Sequence, residues 1–381
     1  MINNAIVQKG DLIRILCVFS TLDRGGAESM CMNLYRHIDR EKVQFDFVKH
    51  TPDKGAFEDE ILSLGGRIFE APRYQIYNHM SYMNWWDRFL KAHPEHQIIH
   101  GHFFTISSVF FAAAHKAGRI TIGHSHCTKS PKQGTARPIV NYLSNRMISH
   151  IEKNADYCLA CSEAAGKWVF KEKPFTVLKN AIDVTRFRTD QKTAQEVRNE
   201  FGLGNNLVVG NVSRFNLQKN PYGTLDIFRL VHEKRPDSKL LWVGDGPMRA
   251  EVQAKAQEYG IQDDVIFTGV RKDIHRLLQA MDAFILPSFY EGLPVVAIEA
   301  QAAGVKTFCS TEISFETGIT DLCKFLSLND LQIWADDISQ IPAAYEHLDI
   351  TDEIIHSGYD IHTTAAWLQD FYLKLAGRSE E

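Results

Sequence analysis

The sequence predicts an α/β protein with two doubly wound domains, each a parallel sheet covered by helices on both faces. Short β-branched or apolar runs alternate with longer helical patterns along the chain, which is typical of parallel sheets. The chain has 381 residues, more than one hydrophobic core usually supports. Since 44% of the residues are hydrophobic, two domains can each bury a core.

The first domain is predicted over residues 1–188 and the second over 189–361. Strands of the first domain are expected at 14–19, 44–48, 67–70, 98–100, 121–123, 157–160 and 176–178. Strands of the second are expected at 207–212, 239–243, 264–268, 283–286 and 306–309. The boundary is expected near the polar stretch 188–200, which separates the apolar segments of the two domains. A last helix at 363–376 carries five apolar residues at helical spacing, namely Trp367, Leu368, Phe371, Tyr372 and Leu375.

Charge and cysteine usage narrow the class of protein. The net charge of −5 argues against a generally basic nucleic-acid binder, so we expect no nucleic-acid partner. Seven scattered cysteines suit a reducing compartment, and we expect a cytoplasmic protein. Cys158 and Cys161 form a C-x-x-C within an apolar run, and we interpret them as buried thiols. No apolar run is long enough to predict a membrane span.

The stretch 287–304 is the most informative part of the chain. It begins Pro-Ser-Phe-Tyr-Glu-Gly-Leu-Pro, continues as an apolar helix, and places Glu291 in a turn and Glu299 in the helix. Open α/β sheets bind ligands at the carboxyl ends of their strands, where this turn would lie. Acids on a helix are usually solvated, but here both carboxylates could face one ligand.

This stretch resembles the signature of the retaining glycosyltransferases of family 4, which include bacterial capsular and exopolysaccharide glycosyltransferases. The resemblance implies the GT-B fold: two Rossmann-like domains facing a central cleft, with the acceptor on the first and a nucleotide-sugar donor on the second. It implies that the C-terminal helix, 362–381, crosses back to the first domain. It also implies that Glu291, with Gly292 and Leu293, contacts the donor sugar, and that Glu299 holds the ribose of the nucleotide.

Two glycines follow the first predicted strand. Gly25 and Gly26 stand before a helix predicted at 29–38, and backbone amides at a helix N-terminus attract phosphate. The alternative is that the turn alone requires glycine. A dinucleotide-binding oxidoreductase would need G-x-G-x-x-G, which neither this segment nor 244–247 supplies.

The second domain offers two cations after its first predicted strand. Arg214 has planar bidentate donors and Lys219 a mobile point charge, which together suit two adjacent phosphates, although such cations are often only solvated. Family 4 enzymes carry an Arg and a Lys here. The resemblance also places Gly244 and Gly246 at the wall of the cleft and Val270 near the base.

Two H-x-H pairs raise the question of a metal. His100 with His102, and His124 with His126, could each form half of a zinc site, because alternate strand residues point the same way. No carboxylate or cysteine stands beside them at ligand spacing, and the resemblance implies metal-independent transfer, so we expect no metal and no cofactor. It places His124 near the donor sugar. His102 and His126 are weaker candidates for acceptor contacts, or packed core residues.

These features predict a retaining glycosyltransferase of the hexosyltransferase type. It would move a sugar from a nucleotide-sugar, by family frequency a UDP-sugar, to a hydroxyl of a glycan or lipid-linked acceptor in surface polysaccharide biosynthesis. The predicted catalytic residues are Glu291, His124, Arg214 and Lys219. Two alternatives stay open: a UDP-sugar 2-epimerase of the same fold, and a non-catalytic nucleotide-sugar-binding protein.

A locally basic region could bring such an enzyme to a membrane. Its basic residues are Lys129, Lys132, Arg137, Arg146 and Lys153, and apolar residues are interleaved with them. The region is either a solvated loop or a peripheral contact with anionic lipid at the inner face of the cell membrane.

Overall fold

The computed structural model describes residues 12–102, 106–126, 151 and 153–377. The chain divides into two compact units. Unit 1 comprises Met1–Ala181 and Ile361–Glu381, and unit 2 comprises Ile182–Asp360.

Unit 1 is built on a seven-stranded parallel sheet. Its strands are β1 (Ile13–Val18), β2 (Val43–Lys49), β3 (Ile68–Glu70), β4 (Ile98–Gly101), β5 (Ile120–Ser125), β6 (Tyr157–Ala160) and β7 (Thr176–Val177). Its helices up to residue 181 include α1 (Gly26–His37), α2 (Glu58–Ser63), α3 (His79–Ala92), α4 (Ser107–Lys116) and α5 (Glu163–Phe170). The strand order is β3-β2-β1-β4-β5-β6-β7. Because the order reverses between β1 and β4, that pair is a topological switch point, where such sheets bind ligands.

Unit 2 repeats the plan with a six-stranded parallel sheet. Its strands are β8 (Leu207–Val212), β9 (Ser238–Val243), β10 (Val265–Gly269), β11 (Ala283–Leu286), β12 (Lys306–Ser310) and β13 (Cys323–Leu326). Its helices are α6 (Gln191–Glu200), α7 (Pro221–Lys234), α8 (Arg249–Glu258), α9 (Ile274–Leu278), α10 (Val295–Ala302), α11 (Leu331–Ser339) and α12 (Thr351–His356). The order β10-β9-β8-β11-β12-β13 puts the switch point between β8 and β11.

Each sheet is covered on both faces by apolar side chains. In β1, Ile15 and Cys17 belong to the core on one face, whereas Leu16 and Val18 belong to the core on the other. In β8, Val208 and Val209 divide in the same way between the two cores of unit 2. Such near-continuous apolar strands are typical of a parallel sheet that is buried on both faces.

The C-terminal helix, α13 (Ile361–Leu375), belongs to unit 1. Its residues Ala365, Leu368 and Tyr372 are buried in the same core as Ile15 of β1 and Tyr35 of α1. These residues recur at intervals of three and four, so one stripe of the helix faces the core. The predicted tail helix is therefore present and joins the first domain.

The structure confirms the two-sheet fold and differs from the prediction in three places. Strand β13 was not predicted, because it lies at the sheet edge and only its last residue, Leu326, is buried. Helix α1 begins at Gly26 and not at Ser29. Strand β5 continues through Ser125, so His124 lies inside the strand and not after it.

Candidate active site

Lys219 and Glu291 meet at the switch point of unit 2. Strands β8 and β11 are neighbours in the sheet, with Ala283 paired to Val209, so the loops that leave their carboxyl ends run side by side. Lys219 closes a short 3-10 turn after β8, and Glu291 lies in the loop between β11 and α10. The Lys219 Nζ donates to Glu291 Oε1 across 72 positions of sequence.

The two loops are held together by main-chain hydrogen bonds. The Phe289 amide donates to the Gln218 carbonyl (2.9 Å), and the Gln218 side chain donates back to the Tyr290 carbonyl (3.0 Å). The Asn220 side chain donates to the Pro287 carbonyl (3.0 Å) and also caps α7. Lys219 and Glu291 are therefore presented by a braced pair of loops, which limits the cost of ordering them for a ligand.

Ser288 is a further member of this site. Its hydroxyl donates to Glu291 Oε1 (2.9 Å), the same oxygen that pairs with Lys219. The side chains of Lys219 and Glu291 are 18% and 10% exposed, so the ion pair is shielded without being sealed from solvent. No role was predicted for Ser288, although its position three residues before Glu291 in one turn could have indicated this contact.

Arg214 follows β8 directly, and its side chain is exposed. Val270 follows β10 and is 64% exposed. Gly292 has open space where a side chain would project, whereas Leu293 packs against the core of unit 2. These predicted donor-binding residues of unit 2 therefore gather at the carboxyl ends of β8, β10 and β11, which is the edge where a parallel sheet binds ligands.

Gly244 and Gly246 have a structural reason to be glycine. Gly244 has φ +135°, and a Cβ there would overlap the carbonyl oxygen of Ser213. A Cβ on Gly246 would crowd the backbone of Phe215. The two glycines thus let the turn after β9 pack against the segment after β8, whether or not a ligand is bound.

Glu299 lies in α10, on the element that follows the Glu291 loop. Its side chain is half-buried, and the loss of water raises its pKa to about 7, while the charge of Arg186 acts in the opposite direction. A carboxyl group with this pKa changes charge near neutral pH. It can accept hydrogen bonds from hydroxyls when it is ionised and can donate one when it is protonated.

In unit 1, Gly25 and Gly26 form the start of α1. Gly25 is the N-cap with an extended backbone, and Gly26 is the first helical residue. The Glu28 carboxyl occupies the space that a Cβ on Gly25 would take, and burial raises the pKa of Glu28. Glycine has no side chain with which to cap the helix, so the first amides of α1 suit an anion.

Four histidines stack at the carboxyl ends of β4 and β5. The ring centroids of His100 and His102 are 4.1 Å apart, as are those of His124 and His126. Between the strands, His102 Nδ1 lies 2.9 Å from His126 Nε2 and His100 Nε2 lies 3.2 Å from His124 Nδ1. The structure therefore unites the two predicted H-x-H pairs into one group.

Burial makes these imidazoles neutral. It lowers the pKa of His100 and of His126 to about 3, and it lowers the pKa of His102 and His124 well below the usual value. Mutual repulsion adds to the lowering for His100, His102 and His124, because a charge on one ring opposes a charge on the next. Near neutral pH the group therefore offers neutral ring nitrogens.

Two family models match the chain and together span most of both units. Residues 24–186 match the model described as Glycosyltransferase Family 4, and residues 193–350 match the model described as Glycosyl transferases group 1. The two matches contain every predicted site residue of units 1 and 2, from Gly25 to Glu299. The elements that carry the candidate site are thus the elements that define the family.

Curated relatives agree. The chain is 33% identical over 371 residues to a Bacillus subtilis protein named "Putative glycosyltransferase EpsF", covering 94% of this chain and 96% of that one. It is 22% identical over 95% of its length to the capsular polysaccharide biosynthesis glycosyltransferase CapH of Staphylococcus aureus, covering 99% of that protein. Over 35% of its length it is 30% identical to the Escherichia coli enzyme named UDP-Gal:alpha-D-GlcNAc-diphosphoundecaprenol alpha-1,3-galactosyltransferase, covering 36% of that enzyme.

Solved structures share the fold. Anabaena HepE, crystallised in complex with UDP, superposes with a TM-score of 0.77 at 19% identity, covering 95% of this chain and all of that one. WaaG, a glycosyltransferase involved in lipopolysaccharide biosynthesis, superposes with a TM-score of 0.66 at 15% identity, covering 94% of this chain and 99% of that one. With a full-length relative at 33% identity and both family domains present, the chain belongs to the family 4 glycosyltransferases and has the GT-B fold.

Proposed function

We propose that this protein is a retaining glycosyltransferase that moves a hexose from a UDP-sugar to a hydroxyl of a glycan or lipid-linked acceptor during assembly of a surface polysaccharide. The contact between Lys219 and Glu291 at the switch point of unit 2 carries the proposal. It joins a phosphate-binding cation to a hydroxyl-binding carboxylate. The names of the relatives, with UDP-Gal, a diphosphoundecaprenol acceptor and capsular polysaccharide, support this choice of substrates.

In the proposed reaction, the diphosphate of the donor competes with Glu291 for Lys219. Lys219 and Arg214 then stabilise the negative charge that grows on the leaving diphosphate as the anomeric carbon–oxygen bond breaks. Glu291, released from Lys219 but still held by Ser288, accepts hydrogen bonds from the sugar hydroxyls. The acceptor hydroxyl attacks the face from which the nucleotide leaves and gives its proton to the oxygen of the leaving diphosphate, so the anomeric configuration is retained.

Glu299 is proposed to bind the ribose of the nucleotide. An ionised carboxylate accepts hydrogen bonds from two neighbouring hydroxyls, and Glu299 has a pKa of about 7 because water is largely excluded from it. Nucleotide binding therefore favours the ionised form. No metal and no cofactor enter this scheme, since the cationic side chains and the amides after Gly25 supply the positive charge.

In unit 1, His124 is proposed to contact the donor sugar. Its Nδ1 already contacts His100, which leaves Nε2 as the nitrogen for a ligand. The test compares His124→Ala with the wild type for kcat and for donor affinity, with Tm as the check on folding. Full transfer activity with unchanged donor affinity would remove His124 from the site.

The donor is identified first by thermal unfolding with UDP, GDP, ADP and NAD in turn. A nucleotide at 100 times its Kd adds about 2.7 kcal/mol of stability. Stabilisation by UDP alone, followed by transfer from one UDP-sugar and an NMR assignment of the new linkage as retained, supports the proposal. An inverted linkage contradicts it, as does release of an isomerised sugar without acceptor, which would indicate a 2-epimerase.

A lipid-linked acceptor would require contact with a membrane surface, and we propose a peripheral one. Among the helices in the described part of the chain, none has the length and apolar character to cross a bilayer. The basic region predicted to contact lipid lies outside the described residues, except for Lys153. Sedimentation with anionic vesicles at low and high salt tests this contact, and failure to bind at low salt would exclude it.

A further inference from the structure

Thiols and imidazoles lie together near the switch point of unit 1. The ligand atoms of Cys17 on β1, Cys31 on α1 and His102 after β4 all lie within 4.8 Å of one another. The ligand atoms of His100, His102 and His124 meet the same limit. Because His102 belongs to both sets, the five side chains form one continuous group, called here the thiol–imidazole cluster.

The cluster is buried and contains unpaired polar atoms. His102 is 8% exposed and His124 is 4% exposed. Within the described residues, the Nε2 atoms of His102 and His124 have no hydrogen-bond partner, while the Nδ1 atom of each ring contacts another histidine. Buried polar groups are nearly always paired in folded proteins. The unpaired Nε2 of His102, on a ring that lies beside a pair of thiols, therefore points to a ligand that the polypeptide does not supply.

We propose that the thiol–imidazole cluster binds one Zn²⁺ ion through Cys17, Cys31 and Nε2 of His102, with His100 as the fourth ligand. Structural zinc sites are tetrahedral and use Cys and His. Bond lengths of about 2.1 Å to nitrogen and 2.3 Å to sulfur place the ligand atoms roughly 3.4–3.8 Å apart. The observed limit of 4.8 Å is close enough for side-chain rotations to complete the site.

Charge favours the two cysteines as ligands. Zn²⁺ deprotonates the thiols on binding, and the two protons leave to solvent, so two thiolates balance the charge of the ion. Three neutral imidazoles alone would leave a buried charge of +2, which is costly. The ion therefore belongs between the thiols and His102 and not among the histidines alone.

The surrounding contacts fit a structural role. His100 Nδ1 lies 2.6 Å from the Tyr372 hydroxyl, a contact of the kind that orients a ligand imidazole. An ion here would tie β1, β4 and α1 together and, through Tyr372, would also fasten α13. It takes no part in sugar transfer, and His102 becomes a metal ligand in place of an acceptor contact. The proposal does not rest on the proposed donor or acceptor.

The experiment measures the zinc content of the full-length protein, purified without a histidine tag, by mass spectrometry. About one zinc ion per chain is expected, falling to background in Cys31→Ser and in His102→Ala. The matched controls Cys158→Ser and His93→Ala should keep the ion. Cys158 is another buried thiol of unit 1, and His93 belongs to a separate, more exposed histidine–glutamate group.

A second measurement does not depend on the variants folding. Wild-type protein is stripped with chelator and titrated with Co²⁺, which reports tetrahedral coordination by intense visible bands and thiolate ligands by charge transfer in the near ultraviolet. The site is supported if both signals appear and are then lost when Zn²⁺ displaces Co²⁺. The proposal is overturned if the purified protein holds only background zinc and Co²⁺ gives no thiolate band, or if the control variants lose the ion as the ligand variants do.

Discussion

The two units share one sheet design but place different chemistry at their switch points. At β8 and β11 of unit 2, Lys219 and Glu291 form a charged pair with partial access to solvent. At β1 and β4 of unit 1, the side chains near the switch point are neutral rings and thiols that are buried. The difference indicates that the switch point of unit 2 suits a charged ligand, whereas the side chains at the switch point of unit 1 also pack in the protein interior. Substitution of Lys219 should therefore lower transfer strongly, whereas substitution of a tightly packed glycine such as Gly244 should lower stability.

The largest effect is expected for Lys219→Ala. Loss of a group that stabilises the leaving diphosphate should lower kcat by about 10²-fold or more. Some loss of Tm is also expected, because Glu291 is only 10% exposed and would lose its cationic partner, so kcat is measured at a temperature where the variant is folded. The matched control is Lys239→Ala, since Lys239 also forms an ion pair in unit 2, with Asp264. Steady-state kinetics with the identified donor check this. A loss below about threefold, or an equal loss in the control, would remove Lys219 from the mechanism.

Two glycine substitutions in unit 2 compare a position needed for backbone packing, Gly244, with a position in the proposed donor site, Gly292. Gly244→Ala should destabilise unit 2 by about 3 kcal/mol, because it combines a positive φ with overlap on the Ser213 carbonyl. Gly292→Ala should leave stability within about 0.5 kcal/mol, because a Cβ there meets open space. Denaturant unfolding measures both. If Gly292→Ala is equally destabilising, the open loop described here is wrong.

The pH dependence should identify Glu299. Its folded pKa of about 7 lies above the usual 4.5, so the unfolded chain releases this proton first as pH rises. The stability contributed by this group is therefore full below pH 4.5 and is lost between pH 4.5 and 7. UDP affinity should change in the opposite direction, rising roughly tenfold from pH 6 to 8 as Glu299 ionises.

Glu299→Gln is the control for this pH dependence. The amide does not titrate, so both the loss of stability and the gain of UDP affinity should flatten, which calorimetry at each pH measures. A variant that keeps the wild-type profile would assign the pH dependence to another group.

The smallest effect is expected at the glycine turn of unit 1. Gly26→Ala should stabilise α1 by up to about 1 kcal/mol, because alanine is the better helix former and a Cβ at Gly26 meets no atom within 4 Å. Alanine keeps the backbone amide, but if phosphate binds against Gly26 the added methyl group should obstruct it, and transfer should fall even though stability rises. Measurement of Tm and kcat in the same preparation checks this. Unchanged kcat would leave the glycine turn with a backbone role only.

The fold was predictable because each parallel strand is a short apolar run, which can be recognised without information about distant residues. Every strand expected in either half is present, and among the described residues only the edge strand β13 was missed, since it carries a single buried residue, Leu326. In the candidate site, Glu291 and Lys219 were both proposed from local motifs. Their direct contact was not, because it depends on β8 and β11 being neighbours in the sheet.

The histidines show more clearly what local sequence patterns could not predict. Their sequence spacing suggested half-sites and argued against a metal, because no cysteine stands next to them in the chain. Cys17 and Cys31 come from β1 and α1, far away in sequence, and only the sheet order brings them to His102. A ligand set assembled from separate elements leaves no local motif for a single sequence to show.

The sequence by itself determined the two-domain α/β fold, the family and the donor-binding candidates of unit 2. These follow from hydrophobic periodicity and from a dense local motif, and both are properties of neighbouring residues. The tertiary structure decided that Lys219 pairs with Glu291, that Ser288 supports it, and that partial burial raises the pKa of Glu299. It also decided which thiols and imidazoles meet in unit 1. Contacts and desolvation depend on strand order and packing, which arise only when distant segments come together.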